Sequence, residues 1–305
     1  SGLQSVANVA AAIRAGLYDC GIAAGVESMT HNPHQPPTAA WEVVSETPLA
    51  QEALTAMGAT SDTVAKRYGV SREKQDAYAL ESHRRAADAR RKGLFREEIE
   101  PVSVTDPDTG AASLVEHDDG IREDTTMEKL ARLKPAFSPE GSTTAGNASQ
   151  VSDGAAAVLL MRRSAYEALC AEAAAAHSPP PAAPLGKCCS FAVVGVKPDE
   201  MGVGPVFAVP RALEMAGIAA GDVDCFEINE AFASQYAYCV ETLALDPQKV
   251  NPLGGAIALG HPLGMTGCRQ VATLLHHLKR TKTKTGVVSM CIGTGMGAAA
   301  VFQAE

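Results

Sequence analysis

The chain has 305 residues, 46% of them hydrophobic and 20% charged, the balance of an ordinary folded protein, which excludes a disordered chain. No apolar run reaches the roughly 18 residues that a membrane-spanning helix requires. Lys plus Arg number 26 against 35 Asp plus Glu, a net charge of −9; that argues against sequence-independent nucleic-acid binding but permits a local anion pocket.

A prior of roughly 150 residues per domain gives about two domains. The first predicted element is a helix over 3–17, where Leu3, Val6, Val9 or Ala10, Ile13 and Leu17 recur at spacings of three and four and Gly16 supplies the stop. The segment 20–26 (CGIAAGV) is short, apolar and glycine-flanked, and predicts a buried strand. A helix feeding a strand is half of a βαβ unit. The expectation is therefore that Ser1 is not the native start and that such units precede it; the first residues do not read as a signal peptide.

Next come a proline-rich loop over 31–48 and a charged amphipathic helical stretch over 62–92, carrying Val64, Tyr68, Tyr78 and Leu80. Its charges read as a solvated face. A helix over 164–175 leads to a surface linker at 179–184 (PPPAAP). A helix over 266–279 shows Val271, Leu274, Leu275 and Leu278 on one face, and a buried strand follows at 286–290.

The sequence GAAAV occurs at 154–158 and again at 297–301. Each copy ends the order helix, strand, GAAAV strand, which points to duplication. The second copy joins its strands by the short loop 291–296, the first by roughly 120 residues. That insertion is expected to leave the sheet where the glycine-rich loop does and to lie over the same end.

The eight cysteines form no C-x-x-C pair and show no zinc spacing. They predict free thiols in a reducing compartment. Three segments combine reactive side chains with open backbone: Asn229 in NEAFA, His261 in GHPLG and Cys291 in CIGTG. Taken singly, Asn229 reads as a cap or turn former and Cys291 as a packed thiol, while His261 reads equally well as a turn histidine. Together they lie at element ends, where α/β sheets build sites. His31, His34 and His117 fall in polar loops, His276 and His277 on a helix surface, and Cys188–Cys189 on an apolar strand. The glycines at 293, 295 and 297 lead into a strand, which argues against a dinucleotide site.

At GLYDCGIAAGVESMT (16–30), TTAGNASQVSDGAAA (143–157), EINEAFASQ (227–235), NPLGGAIALGHPLGMTG (251–267) and VVSMCIGTGMGAAAVF (287–302), the chain resembles the thiolases, most of all the peroxisomal type of 3-ketoacyl-CoA thiolase. The resemblance implies an α/β fold of two pseudo-symmetric halves: 1–28 with 150–165, an inserted CoA-binding loop domain at 29–149, and a second half at 166–305. It implies thiolytic cleavage of 3-ketoacyl-CoA by CoA, with CoA as a substrate and no other cofactor or metal. It implies catalytic roles for His261, Cys291, Asn229 and the N–H of Gly293, and CoA contacts from Arg122, Ser149 and Phe232. It also implies a homodimer or larger oligomer and a peroxisomal address, with mitochondrial or cytoplasmic locations open. The family's nucleophilic cysteine stands two residues before the position of Ser1, so a chain beginning at Ser1 is expected to be inactive. Cys268 occupies the pseudo-equivalent place on the other helix without a reason to take that role. The alternatives are an acetoacetyl-CoA thiolase and a non-catalytic CoA-binding or scaffold protein.

Overall fold

The computed structural model describes residues 1–33 and 41–305. Helix α1 (Gly2–Ala15) ends on Gly16 at φ +81°, a left-handed cap that glycine adopts without a Cβ penalty. Strand β1 (Cys20–Glu27) follows. Its connection to β4 carries α2 (Trp41–Val44), α3 (Pro48–Glu52), α4 (Met57–Tyr68), α5 (Arg72–Arg91), the hairpin β2 (Val102–Thr105) and β3 (Ala112–Val115), and α6 (Met127–Ala131). After β4 (Gly154–Met161) come α7 (Arg163–Ala175), β5 (Gly186–Gly195), a 3-10 turn at Pro198–Val203 and α8 (Gly204–Ala216). The chain closes with β6 (Cys225–Ile228), α9 (Ala233–Thr242), α10 (Ala256–Leu259), α11 (Thr266–Thr281), β7 (Thr285–Ile292) and β8 (Met296–Ala304).

The two GAAAV copies take the same place. Strand β1 pairs antiparallel with β4, aligning Glu27 with Gly154, and β7 pairs antiparallel with β8, aligning Cys291 with Gly297. The larger sheet has the order β5-β8-β7-β6, with β6 parallel to β7. Helices α1 and α11 cross between the two sheets at small residues. A Cβ on Gly2 would lie 2.6 Å from the Cys268 nitrogen, and one on Gly267 would lie 2.1 Å from the Leu3 nitrogen. The core here joins Leu3 and Val6 of α1 to Val271, Leu274 and Leu278 of α11 and to Val288 and Phe302 of the sheet. Each such side chain contributes about 1.5–3 kcal/mol by leaving water. On the sheet's other face, Ala208, Val209 and Leu213 of α8 and Val240 of α9 cover Val287, Ala299 and Val301.

Strand β1 corrects the expectation of a buried strand. Ala23 is buried against the helices, but Ile22 and Val26 are 67% and 71% exposed, as is Leu159 of β4 at 63%. Pleating sends alternate side chains to opposite faces. Only the helix-facing side is covered among the described residues.

The charged stretch at 62–92 is helical as expected, and only the reading of its charges is corrected. It is two helices, α4 and α5, broken at Gly69 with φ +67°, and Ser71 caps α5 by accepting the Lys74 N–H at 3.3 Å. Its charges do not form one solvated face. Asp76 is buried beside Arg72 at 2.8 Å, and Arg67 bonds Asp199 at 2.7 Å and also Glu200. Within the 31–48 loop, Trp41–Val44 is helical and Pro48 opens α3, where its missing N–H costs nothing; His34 lies outside the described residues. His276 and His277 are half-buried rather than on an open surface. All eight cysteines are free thiols. No helix among the described residues is long and apolar enough to cross a membrane.

Candidate active site

Strand β6 delivers Asn229 to the end of the larger sheet. The Asn229 N–H donates to the Ser289 carbonyl at 2.9 Å, extending the β6–β7 ladder by one step. Asn251 locks this end by accepting the Ile228 N–H through Oδ1 and donating to the Ile228 carbonyl through Nδ2, both at 2.8 Å. Gln235 Nε2 donates to the Asn229 carbonyl at 2.8 Å. The Asn229 side chain is buried, and its Oδ1 has no hydrogen-bond partner among the described residues.

Glu230 fastens Asn229 to the segment that bears His261. Its buried carboxylate accepts from Ser82 Oγ at 2.6 Å, Asn251 Nδ2 at 2.9 Å and the Ile257 N–H at 3.2 Å. Burial raises its pKa. A Cβ on Gly255 would come within 2.3 Å of that carboxyl group, so glycine is required there.

His261 follows α10 and Gly260, which sits at φ +89°. The His261 N–H donates to the Gln150 carbonyl at 3.2 Å. Its ring is clamped on both sides: Nδ1 lies 2.6 Å from Thr266 Oγ1 and Nε2 lies 3.2 Å from Asn229 Nδ2. Thr266 spends its hydroxyl proton on the Pro262 carbonyl at 3.0 Å, so its oxygen accepts from Nδ1–H. The Asn229 amide is a donor. The hydrogen-bond pattern thus assigns the proton to Nδ1 and a lone pair to Nε2. Burial, with the Arg269 cation adding to it, lowers the His261 pKa to about 4, so the imidazole is neutral near pH 7.

Cys291 reaches the same end on the neighbouring strand. The pairing of Ile228 with Ser289 sets Asn229 and Cys291 at one end of parallel β6 and β7. The Cys291 thiol is half-buried and burial pushes its pKa up to about 12, so it is held as S–H. Its loop turns through Thr294 at φ +71° and Gly295 at φ +99°. A Cβ on Gly293 would meet only Met57 Sδ, at 3.8 Å, which brings the start of α4 to the glycine-rich loop. Among the described residues, no group of His, Cys, Asp or Glu is arranged to hold a metal ion.

Ser149 and Phe232 are joined to this end by the backbone. The Ser149 N–H donates to the Ala231 carbonyl at 3.0 Å, and Ala148 bridges Phe232. The Phe232 ring meets Phe137 edge-on at 6.2 Å. Gln150 Nε2 donates to the carbonyls of Gly120 at 2.7 Å and Ile257 at 3.0 Å, which ties the backbone two residues before Arg122 to α10. The structure therefore gathers Asn229, His261, Ser149 and Phe232 by direct contacts or their immediate neighbours. It places Cys291 and Gly293 by strand register, and it ties Gly120, two residues before Arg122, to α10 without a contact from Arg122 itself.

Residues 1–164 match the model of the thiolase N-terminal domain, and residues 182–304 match that of the thiolase C-terminal domain. The chain belongs to the thiolase family. It is 58% identical over 307 residues to human peroxisomal 3-ketoacyl-CoA thiolase, covering 99% of this chain and 70% of that protein. The dimeric peroxisomal thiolase of Saccharomyces cerevisiae superposes with a TM-score of 0.89 at 47% identity, covering all of this chain and 74% of that one. Human mitochondrial 3-ketoacyl-CoA thiolase gives 0.87 at 35% identity, covering 100% and 77%. The architecture is the thiolase fold.

Several further residues shape this cluster without standing out in the sequence. Thr266 sets the His261 tautomer, Gln150 ties three segments together and Glu230 fixes both Asn229 and α10. The available signal was position: Thr266 stands five residues after His261 across a glycine turn, and Gln150 follows Ser149 directly. The remaining cysteines offer no activated thiol in this site. Burial raises the pKa of Cys188, Cys189, Cys225, Cys239 and Cys268, while Cys20 lies at the far end of β1 from Glu27 and Cys170 lies in α7, beyond β4.

Proposed function

We propose that this protein catalyses the thiolytic cleavage of 3-ketoacyl-CoA by CoA, giving acetyl-CoA and an acyl-CoA two carbons shorter, in peroxisomal fatty-acid β-oxidation. The observation that carries the reading is the neutral His261, held by Thr266 and Asn229 at the sheet end that also receives the protonated Cys291. The names of the peroxisomal relatives support both the substrate and the compartment.

In this reading a cysteine thiol, to which no residue of the sequence is assigned, loses its proton to His261 Nε2 and adds to the 3-keto carbon. The C2–C3 bond breaks, and its electron pair passes to the thioester carbonyl as the acetyl-CoA enolate. The newly protonated His261, with a water bound at Asn229, donates a hydrogen bond to the enolate oxygen and keeps its proton, while Cys291 S–H gives C2 its proton. The unpartnered Asn229 Oδ1 suits such a water. The Cys291 thiolate then takes the proton of incoming CoA, which attacks the acyl-enzyme thioester and expels the enzyme cysteine as a thiolate. That thiolate regains its proton from His261. The Gly293 N–H forms one arm of the oxyanion hole, and such a donor lowers the barrier by about 3 kcal/mol.

Arg122 binds a CoA phosphate, while Ser149 and Phe232 flank the pantetheine arm. Residues 29–149 act as the CoA-binding loop domain between the two parts of the first half, with 166–305 as the second half. The assembly is a homodimer, a reading supported by the dimeric state of the Saccharomyces cerevisiae relative. CoA enters as substrate and no resident cofactor takes part.

Thiolysis of long-chain and four-carbon 3-ketoacyl-CoA by the full-length protein tests the reading. Turnover of the long substrate is expected. Turnover of acetoacetyl-CoA alone would transfer the assignment to an acetoacetyl-CoA thiolase, and CoA binding without acyl transfer would leave a binding protein.

A further inference from the structure

Arg122 combines a fixed backbone with an uncommitted side chain. On one side of it, Ile121 is buried with Ala86, Ala87 and Leu259. On the other, Glu123 is bonded to Arg90 at 2.5 Å and Arg91 at 3.3 Å. Asp124, the next acid, is taken by Lys129 at 2.5 Å. Both carboxylates nearest in sequence are thus engaged by other cations. Arg84 and Arg85 of α5 are likewise paired, both with Glu81. The exposed Arg122 guanidinium makes no ion pair or side-chain hydrogen bond among the described residues. At its own backbone, the Arg122 N–H donates to Nδ1 of His83, 3.2 Å away, and His83 is 5% exposed inside α5.

We propose that His83 is a positioning residue for CoA, its unprotonated Nδ1 holding the Arg122 backbone so that the free guanidinium meets a phosphate of the nucleotide end. The inference rests on the assignment of Arg122 as the phosphate ligand. A cation on a loose loop loses conformational freedom when it binds; a cation on a backbone already held loses less, and the affinity rises accordingly. Only a side chain with an acceptor at the Nδ1 position can do this. Burial and the Arg122 charge lower the His83 pKa to about 4, which keeps that acceptor available at neutral pH.

Calorimetric titration of the full-length protein with CoA and with pantetheine, which lacks every phosphate, separates the roles. His83→Leu removes the acceptor; His83→Asn restores a carbonyl oxygen near the Nδ1 position. His83→Leu is expected to weaken CoA about five- to tenfold, the scale of one net hydrogen bond, and to leave pantetheine unchanged. His83→Asn is expected to recover most of the loss. CoA affinity unaltered in His83→Leu, an equal loss for pantetheine, or no recovery in His83→Asn would each overturn the proposal. Arg122→Ala distinguishes the two layers. If it leaves CoA binding intact, the phosphate assignment fails and takes this inference with it; if it weakens CoA while His83→Leu does not, the inference alone fails.

Discussion

Thr266 Oγ1 lies 2.6 Å from Nδ1 of His261 while giving its own proton to the Pro262 carbonyl. In the proposed reaction this relationship prepares His261 to act as the base: with the proton on Nδ1, the Nε2 lone pair faces Asn229. Thr266→Val removes the acceptor and strands a buried N–H, a cost of about 1–3 kcal/mol. A fall in kcat of roughly ten- to hundredfold is expected, with KM little changed and with Thr266→Ser close to wild type. Steady-state kinetics on the three proteins check it; full turnover in Thr266→Val would remove Thr266 from the account.

The pH dependence of kcat/KM follows from the same clamp. Burial holds the His261 pKa at about 4, so the free base form persists down to mildly acidic pH. The acid limb is expected below pH 5 rather than near the ordinary histidine value of about 6.5. A limb centred on 6.5 would mean that His261 is solvated in the working enzyme.

Stability is expected to fall as pH rises from 6.5 to 8. Glu98, which accepts from Thr273 Oγ1 at 3.0 Å, is raised by burial to about 7, and Glu227, beside Arg269 at 3.2 Å, is raised to about 8. Their folded pKa values exceed the unfolded ones, so the native state holds more protons and loses stability as they ionise. Each unit of difference corresponds to about 1.4 kcal/mol. His83, His261 and His277 have lowered folded pKa values; their contribution grows as pH rises toward 6.5 and is constant above it. Chemical denaturation of wild type, Glu98→Gln and Glu227→Gln between pH 6.5 and 8 should show a shallower pH slope in each variant. Parallel slopes in all three would contradict the assignment.

Gly255→Ala tests the link between the segments that carry Asn229 and His261. Its Cβ would lie 2.3 Å from the Glu230 carboxyl, forcing apart the contacts to Ser82, Asn251 and Ile257. Overpacking of this kind costs about 1–3 kcal/mol, and displacement of Asn229 should lower kcat as well. A variant with unchanged melting temperature and turnover would show that the segment yields without consequence.

The sequence discloses this molecule unevenly, for physical reasons. The 3.6-residue stripe of α11 is legible because Val271, Leu274, Leu275 and Leu278 all meet one core. Strand β1 misleads because small apolar residues occupy both faces, so alternation carries no signal and Ile22 reads the same as Ala23. The break at Gly69 hides in a continuous run of charge. His261 and Cys291 stand out through glycine-rich surroundings, and Asn229 joins them through resemblance. His83 and Gln150 do not, because their roles arise from contacts between segments distant in sequence, His83 with the Arg122 backbone and Gln150 with Gly120 and Ile257.

The most direct test of the central claim is the fate of the C2 proton. The full-length protein is supplied with a long-chain 3-ketoacyl-CoA and CoA in D2O, and the products are analysed by mass. The account predicts cleavage to acetyl-CoA bearing one deuterium delivered at C2 and an acyl-CoA two carbons shorter, with Cys291→Ala slowing the reaction by about a hundredfold or more. CoA bound without carbon–carbon cleavage, or cleavage undiminished in Cys291→Ala, would contradict it.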